Sequence, residues 1–372
     1  MRRTPALIIG GGPAGAATAI MLARARLPHL LIERTAVTGD ALCGGFLSWR
    51  TLETLGKLAV DADRLNPEQL DTARLFVGGV CAEAPLPRPA RGVSRHRLDS
   101  VMIAQAAKTG ACIEHGVDAR SWSPEGVRLH DGSEIGAASI FLATGKRDLR
   151  GAARPAEAQE SDPSLGLRVR LDPSPTLDRL LGRSIELHLF DRGYAGLNLQ
   201  EDGSGNLCLA VHRSRLTEAG GPEALLQAIA AESPQLAERL AWRTSDRIDA
   251  VANVPYGWRL RSGVPGMFRL GDQAGVIPSL AGEGMGIAVA SGIRAAQAYA
   301  RGGAAAAPAF QRRLARDLAR PIAVAGLIRA AAEHPSAARR LIQLARKFPM
   351  TIDLAARLTR IDHSPIDLPA QP

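Results

Sequence analysis

Residues 7–33, LIIGGGPAGAATAIMLARARLPHLLIE, place a glycine-rich turn between a short apolar run and a helix of small residues. Leu7, Ile8 and Ile9 predict a buried strand, and Gly10, Gly12 and Gly15 follow in G-x-G-x-x-G spacing. The first glycine permits a tight turn, the second lets the backbone approach a pyrophosphate, and the third lets the helix pack close to the strand. The helix start, where Pro13 precedes Ala14, offers unpaired N–H groups from Ala14 onward and a positive dipole end to phosphates. Glu33 closes the run His29–Ile32, where a carboxylate can accept hydrogen bonds from an adenosine ribose, and Arg34 adjoins it. Strand, glycines, helix, strand and acid in this order predict an ADP-binding βαβ unit over residues 4–34.

The 372 residues suffice for two domains and a large core. At 46% hydrophobic and 22% charged they read as a globular chain. The apolar run after Arg2-Arg3 breaks at once into the glycine turn, which argues against a targeting signal, and no stretch has the length of a membrane span. Cys43, Cys81, Cys112 and Cys208 are widely spaced, without a metal-ligand pattern or a disulfide framework. That fits a reducing cytoplasm and predicts no metal. The net charge of +9 fits an anionic cofactor such as NADPH, an acidic carrier protein or a membrane surface, or simply an arginine-rich solvated surface. Nucleic acid is disfavoured, because the basic residues are dispersed, aromatics are 4% and no recognition motif is present.

Along the chain, a helix is expected over Ser48–Leu58 with Ser48 as its cap, then a hairpin with an extended, proline-containing return over residues 72–94. A helix follows over Arg97–Thr109, and a buried strand over Ser139–Leu142 runs into Ala143-Thr144-Gly145. The runs between Ser164 and Val211 predict an antiparallel sheet. Two short helices follow at 222–231 and 234–241, then a strand at Met267–Leu270, a helix from Gly284 to about Tyr299, and a helical tail over 308–360. The last ten residues are expected to be loose.

Residues 268–291, FRLGDQAGVIPSLAGEGMGIAVAS, form a second anchor. A strand delivers Gly271 and Asp272, whose carboxylate can bind the hydroxyls of a ribityl chain. Gly284 and Met285 open a helix whose N–H groups can stabilise negative charge on a flavin ring, and Gly282, Gly284 and Gly286 leave room for a flat ring. Glu283 either shapes that site or is an exposed acid favoured by the helix dipole.

With these segments the chain resembles the p-hydroxybenzoate-hydroxylase-like flavoproteins, a superfamily that includes the class A flavin monooxygenases and the geranylgeranyl reductases. Gly10–Gly15, Glu33, Ala143-Thr144-Gly145 and Gly271-Asp272…Pro278…Gly282-Glu283-Gly284-Met285 carry the resemblance to about residue 300. It implies an α/β fold with α+β elements: a Rossmann-like FAD-binding ββα domain, an inserted antiparallel-sheet substrate domain and C-terminal helices. The expected division is 1–70, 95–155 and 255–305 for FAD, 71–94 and 156–254 for substrate, and 306–372 for the helical region. Cys43-Gly44-Gly45 is similar to the C-G-G loop of the reductases. By the same resemblance Arg95 contacts FAD and Val117 meets the adenine.

Three departures bear on activity. Gly275 stands where hydroxylases carry a histidine, their Asp-Gly motif is not visible, and of the reductases' aromatic substrate motif only Tyr194 remains. Cys43 either acts at the flavin or is a small apolar residue. Tyr194, Phe46 and Trp49 either line a substrate pocket or pack in the core. The resemblance implies first an FAD-dependent, NAD(P)H-using monooxygenase of a hydrophobic or aromatic small molecule. The alternatives are a reductase of a prenyl or polyketide double bond, or a flavoprotein acting on a protein- or carrier-bound substrate.

Overall fold

The computed structural model describes residues 2–155, 161–243 and 245–361. The tail expected to be loose lies outside these residues.

The first sheet is built on β1 (Arg2–Ile9), flanked by β2 (Leu30–Glu33) and β9 (Glu134–Leu142), with β6 (Cys112–His115) beyond β2 and β15 (Met267–Arg269) beside β9. All these pairings are parallel, with Leu7 opposite both Leu30 and Ile140. Strands buried on both faces read as continuous apolar runs, which is why Leu7–Ile9 and Ile140–Leu142 were visible in the sequence. The strand predicted at Ser139–Leu142 begins earlier, at Glu134, because it pairs with the whole of β1. Beyond β9, β8 (Gly126–Leu129) and β7 (Ala119–Ser123) add an antiparallel edge.

The second sheet runs β14 (Asp249–Val254), β10 (Ser164–Leu171), β13 (Gly205–His212), β12 (Gly193–Leu199), β11 (Ser184–Phe190), β4 (Leu70–Val77), β5 (Val80–Gly92) and β3 (Phe46–Leu47). Its pairings are antiparallel except one: β4 lies parallel to β11. The sheet expected to be antiparallel is therefore mixed, because the early hairpin inserts against a strand more than a hundred residues later.

Helix α1 (Pro13–Arg24) returns from β1 to β2. Helix α2 (Trp49–Lys57) starts at its predicted cap, with Thr51 N–H donating to Ser48 Oγ, and the short α3 (Ala62–Leu65) follows. Helix α4 (Arg95–Lys108) begins two residues before the predicted start, since Ser94 Oγ accepts the Arg97 N–H and Ser94 itself is held by Glu201. Helices α5 (Pro175–Leu181), α6 (Arg213–Ala219), α7 (Pro222–Glu232) and α8 (Pro234–Leu240) cover the second sheet. Helix α9 (Gly284–Gly302) packs on α1, and Phe141 and Phe268 stack beneath them at 4.7 Å between ring centroids. Helices α10 (Ala307–Asp317), α11 (Ala319–Ala332), α12 (Pro335–Lys347) and α13 (Met350–Leu358) follow α9 along the described residues. Among the described residues no helix is long and apolar enough to cross a membrane.

Candidate functional site

The turn after β1 has little freedom. Gly10 sits at φ 106°, its N–H bonds Ile32 O at 2.9 Å, and a Cβ on Gly15 would lie 1.9 Å from the Gly10 carbonyl oxygen. Gly12 is the N-cap of α1 and no side chain caps it, so the N–H groups of the first turn stay open. The Glu33 carboxylate accepts the Gly11 N–H at 2.7 Å and the Thr35 N–H and hydroxyl at 2.9 and 2.8 Å. Burial opposes its charge, yet these bonds hold its pKa below the usual carboxylate range. Glu33 thus braces the glycine turn, a task its spacing did not reveal. Val117 N–H bonds the Glu33 carbonyl at 2.9 Å, which brings Val117, Glu33 and the exposed Arg34 together beside the glycine turn, though none of the three lines the cleft that Gly12, Pro13 and Ala14 border.

At the other end, β15 runs into a 3₁₀ turn at Gly271–Gln273, which puts Asp272 into a cleft lined also by Gly12, Pro13 and Ala14. Lys146 Nζ lies 3.8 Å from Asp272 Oδ2. Helix α9 likewise starts with no side-chain cap and presents Gly284 and Met285, after Gly282, to the same cleft. Ala143 and Gly145 line it as well, whereas the Thr144 hydroxyl turns to Arg147 O at 2.6 Å. Arg95 reaches in from α4, with Nη2 3.1 Å from where a Gly12 Cβ would stand. Burial opposes its charge too, but the bidentate pair with Asp99, at 2.9 and 2.7 Å, raises its pKa. Two uncapped helix starts, a fixed guanidinium and the Gly12 cradle face one cleft. That donor set fits the pyrophosphate and ring of a flavin dinucleotide.

The Cys43-Gly44-Gly45 loop lies on the second sheet. Its Cys43 carbonyl accepts Asn206 Nδ2 and the Cys208 thiol, each at 3.0 Å, and its Gly44 carbonyl accepts Asn198 Nδ2 at 2.8 Å. Burial pushes the Cys208 thiol up to about 12. Sequence reasoning missed Asn198, Asn206 and Cys208. The available signal was polar side chains inside otherwise apolar strands.

The cleft continues past Cys43 and Phe46 into a cavity, about 360 Å³ in all. Leu75, Ile185 and Leu187 wall it on one side, and Leu341, Ile352 and Ala355 of α12 and α13 on the other. Tyr194 is buried against it, 2.6 Å from Ser279 Oγ, which is 2.8 Å from the Tyr256 hydroxyl. Trp49 does not line it, but packs in the core with the Arg360 guanidinium 5.1 Å above its ring.

Glu283 is neither exposed nor aimed into the cleft. It is fully buried, accepting from Ser48 Oγ at 3.1 Å and Arg360 Nη1 at 2.9 Å. A helix start next to glycines cannot disclose a partner 77 residues away.

Residues 3–145 match the family model described as an FAD binding domain. Over that stretch the chain is similar to FAD-dependent oxidoreductases, the group its motifs resemble. It is 29% identical over 160 residues to a menaquinone reductase of Mycolicibacterium smegmatis, a match spanning 40% of this chain and 39% of that protein. The matched stretch thus spans well under two thirds of the relative's length. By structure it resembles a geranylgeranyl bacteriochlorophyll reductase-like protein of Thermoplasma acidophilum, with TM-score 0.74 and 18% identity, covering 96% of this chain and 100% of that one. PqsL, a probable FAD-dependent monooxygenase of Pseudomonas aeruginosa, follows with TM-score 0.69 and 14% identity over 90% of this chain and 98% of that one.

Proposed function

We propose that this chain is an NAD(P)H-dependent flavin reductase that saturates a double bond in a lipophilic isoprenoid or polyketide-derived compound. The observation that carries the reading is the apolar cavity continuous with the cleft between the α1 and α9 starts, which extends beyond the Cys43 loop to α12 and α13. The reductase names of the curated relative and the Thermoplasma protein support it over hydroxylation.

FAD bound across the cleft supplies the hydride-transfer chemistry. In this reading the segments 1–70, 95–155 and 255–305 hold it. Gly10, Gly12 and Gly15 shape the turn, the α1 start and Arg95 bind the pyrophosphate, and Glu33, Arg34 and Val117 take the adenosine. Asp272 binds the ribityl hydroxyls, with Ala143, Thr144 and Gly145 behind it. The N–H groups of Gly284 and Met285 stabilise negative charge on the ring. Residues 71–94 and 156–254, roofed by the C-terminal helices, hold the substrate and exclude water. Cys43 borders both.

The discriminating experiment is anaerobic turnover with NAD(P)H and a panel of prenyl, quinone and phenolic compounds. Loss of one double bond per NAD(P)H, without oxygen, is expected. Oxygen uptake stoichiometric with a hydroxylated product would overturn the reading in favour of the monooxygenase.

The proposal extends to where such a substrate is met. Leu344, Phe348, Met350 and Leu354 are four of the eight large exposed hydrophobic residues among the described residues, and they fall within eleven positions of α12, α13 and their junction. Arg339, Arg340, Arg346, Lys347 and Arg357 are exposed around them, against the single acid Asp353. An apolar patch with a basic rim suits an anionic lipid surface better than an acidic carrier protein, because it supplies both burial and charge complementarity.

A further inference from the structure

Two peptide planes of the Cys43 loop are held by side chains of the second sheet. The Cys43 carbonyl accepts Asn206 Nδ2 and the Cys208 thiol, each at 3.0 Å, and the Gly44 carbonyl accepts Asn198 Nδ2 at 2.8 Å. These peptide bonds are trans, so each N–H points opposite the carbonyl of the residue before it. The Gly44 and Gly45 N–H groups therefore point away from β12 and β13. Neither has an acceptor among the described residues, although Gly45 is buried and both glycines line the cleft. Buried N–H groups are seldom left without a partner, and a ligand in the cleft can supply one. The loop has little freedom to turn them elsewhere. Gly45 sits at φ 69°, Val93 N–H holds its carbonyl at 2.6 Å, and a Cβ there would collide with Gln200 and the Val93 carbonyl. Successive N–H groups in such a turn make a concave donor pair.

Asn198 is 1% exposed, and its Oδ1 has no partner among the described residues. A buried amide oxygen left unpaired costs stability, and a leucine would fill a similar volume without that cost. Packing alone therefore does not explain an asparagine here, whereas its bond to the Gly44 carbonyl does.

We propose that Asn198, supported by Asn206 and Cys208, is a positioning residue for the flavin ring: it directs the Gly44 and Gly45 N–H groups at the ring and so raises its affinity for electrons. The inference rests on placing FAD across the cleft and not on the choice of substrate. Reduction leaves negative charge on the ring, and donors fixed in advance stabilise that charge without reorganising. A loosened loop withdraws them more from the reduced ring than from the oxidised one. Cys208 also lines the cavity, so one support serves both the substrate wall and the loop beside the flavin.

The test is the two-electron reduction potential of the FAD-loaded protein, measured anaerobically against indicator dyes. Asn198→Leu keeps the volume and removes the donor. It should retain FAD and move the ratio of reduced to oxidised flavin about tenfold toward oxidised, the worth of one net hydrogen bond and about 30 mV for a two-electron couple. Cys208→Ser, whose hydroxyl can still donate to the Cys43 carbonyl, should keep the wild-type potential. Full flavin occupancy in Asn198→Leu with an unchanged potential overturns the inference and leaves the placement of FAD intact. If Asn198→Leu does not hold FAD, the two Cys208 variants decide. A lowered potential in Cys208→Ala that Cys208→Ser restores supports the positioning role, and equal potentials overturn it. A wild type that takes up no FAD overturns both the inference and the placement.

Discussion

Arg360 Nη1 lies 2.9 Å from Glu283 Oε2, so a residue just beyond α13 is locked to the residue that starts α9. Both side chains are buried, and the same Arg360 nitrogen donates to the Ala281 carbonyl at 2.6 Å. The pair ties the roof of the cavity to the loop that presents Gly284 and Met285.

Arg360→Ala removes the counter-ion and leaves a buried carboxylate, which should destabilise the fold by about 3–5 kcal/mol. The pH dependence has a definite sign. Burial already raises the Glu283 pKa despite Arg360. Its stabilising contribution is complete below the usual glutamate pKa and is lost as pH rises through the raised folded value. Without Arg360 that value climbs further. Thermal unfolding should therefore show a larger penalty at neutral than at mildly acidic pH, and a pH-independent penalty would count against this account.

Gly15→Ala forces a Cβ to within 1.9 Å of the Gly10 carbonyl oxygen, so the turn must open. Overpacking of this kind destabilises by about 1–3 kcal/mol. The larger expected effect is loss of bound FAD, read from the ratio of flavin to protein absorbance. Full flavin occupancy would show that the glycine turn is not the pyrophosphate cradle.

The Cys208 thiol is half-buried and donates to the Cys43 carbonyl, and its desolvation pushes its pKa up to about 12. Alkylation of the native protein at mildly alkaline pH, mapped by mass spectrometry, should label the exposed Cys112 and spare Cys208 until denaturant is added. Rapid labelling of Cys208 in the native state would mean that the Cys43 loop does not stay seated on β13.

Phe348→Ser with Met350→Ser should abolish sedimentation with vesicles of anionic phospholipid while leaving flavin content unchanged. The wild type should bind these vesicles and release at high salt, because screening weakens the basic rim. Equal binding to neutral and anionic vesicles, or none to either, would remove the lipid-surface proposal.

The nucleotide-binding half was legible in the sequence because its signals are local. Gly10, Gly12 and Gly15 answer to the geometry of one turn, Ser48 caps the helix that starts beside it, and Leu7–Ile9 is apolar because both faces of the strand are covered. The strand, turn and helix that carry Gly271, Asp272 and Gly284 were legible for the same reason, since they form one continuous segment. The parallel entry of β4 against β11 was not legible, because period-two patterning does not encode a strand's direction or partner.

The candidate site divides along the same line. The sequence by itself determined the cofactor class, since a dinucleotide is recognised mainly by backbone N–H groups and short turns that adjacent residues dictate. Tertiary structure alone decided the rest: that Glu283 faces Arg360 rather than the cleft, that Asn198, Asn206 and Cys208 seat the Cys43 loop, and that Tyr194, Tyr256 and Ser279 meet at one wall of the cavity. These side chains come from positions far apart in the chain, and their chemistry depends on burial and on partners that only the packed sheets and helices supply.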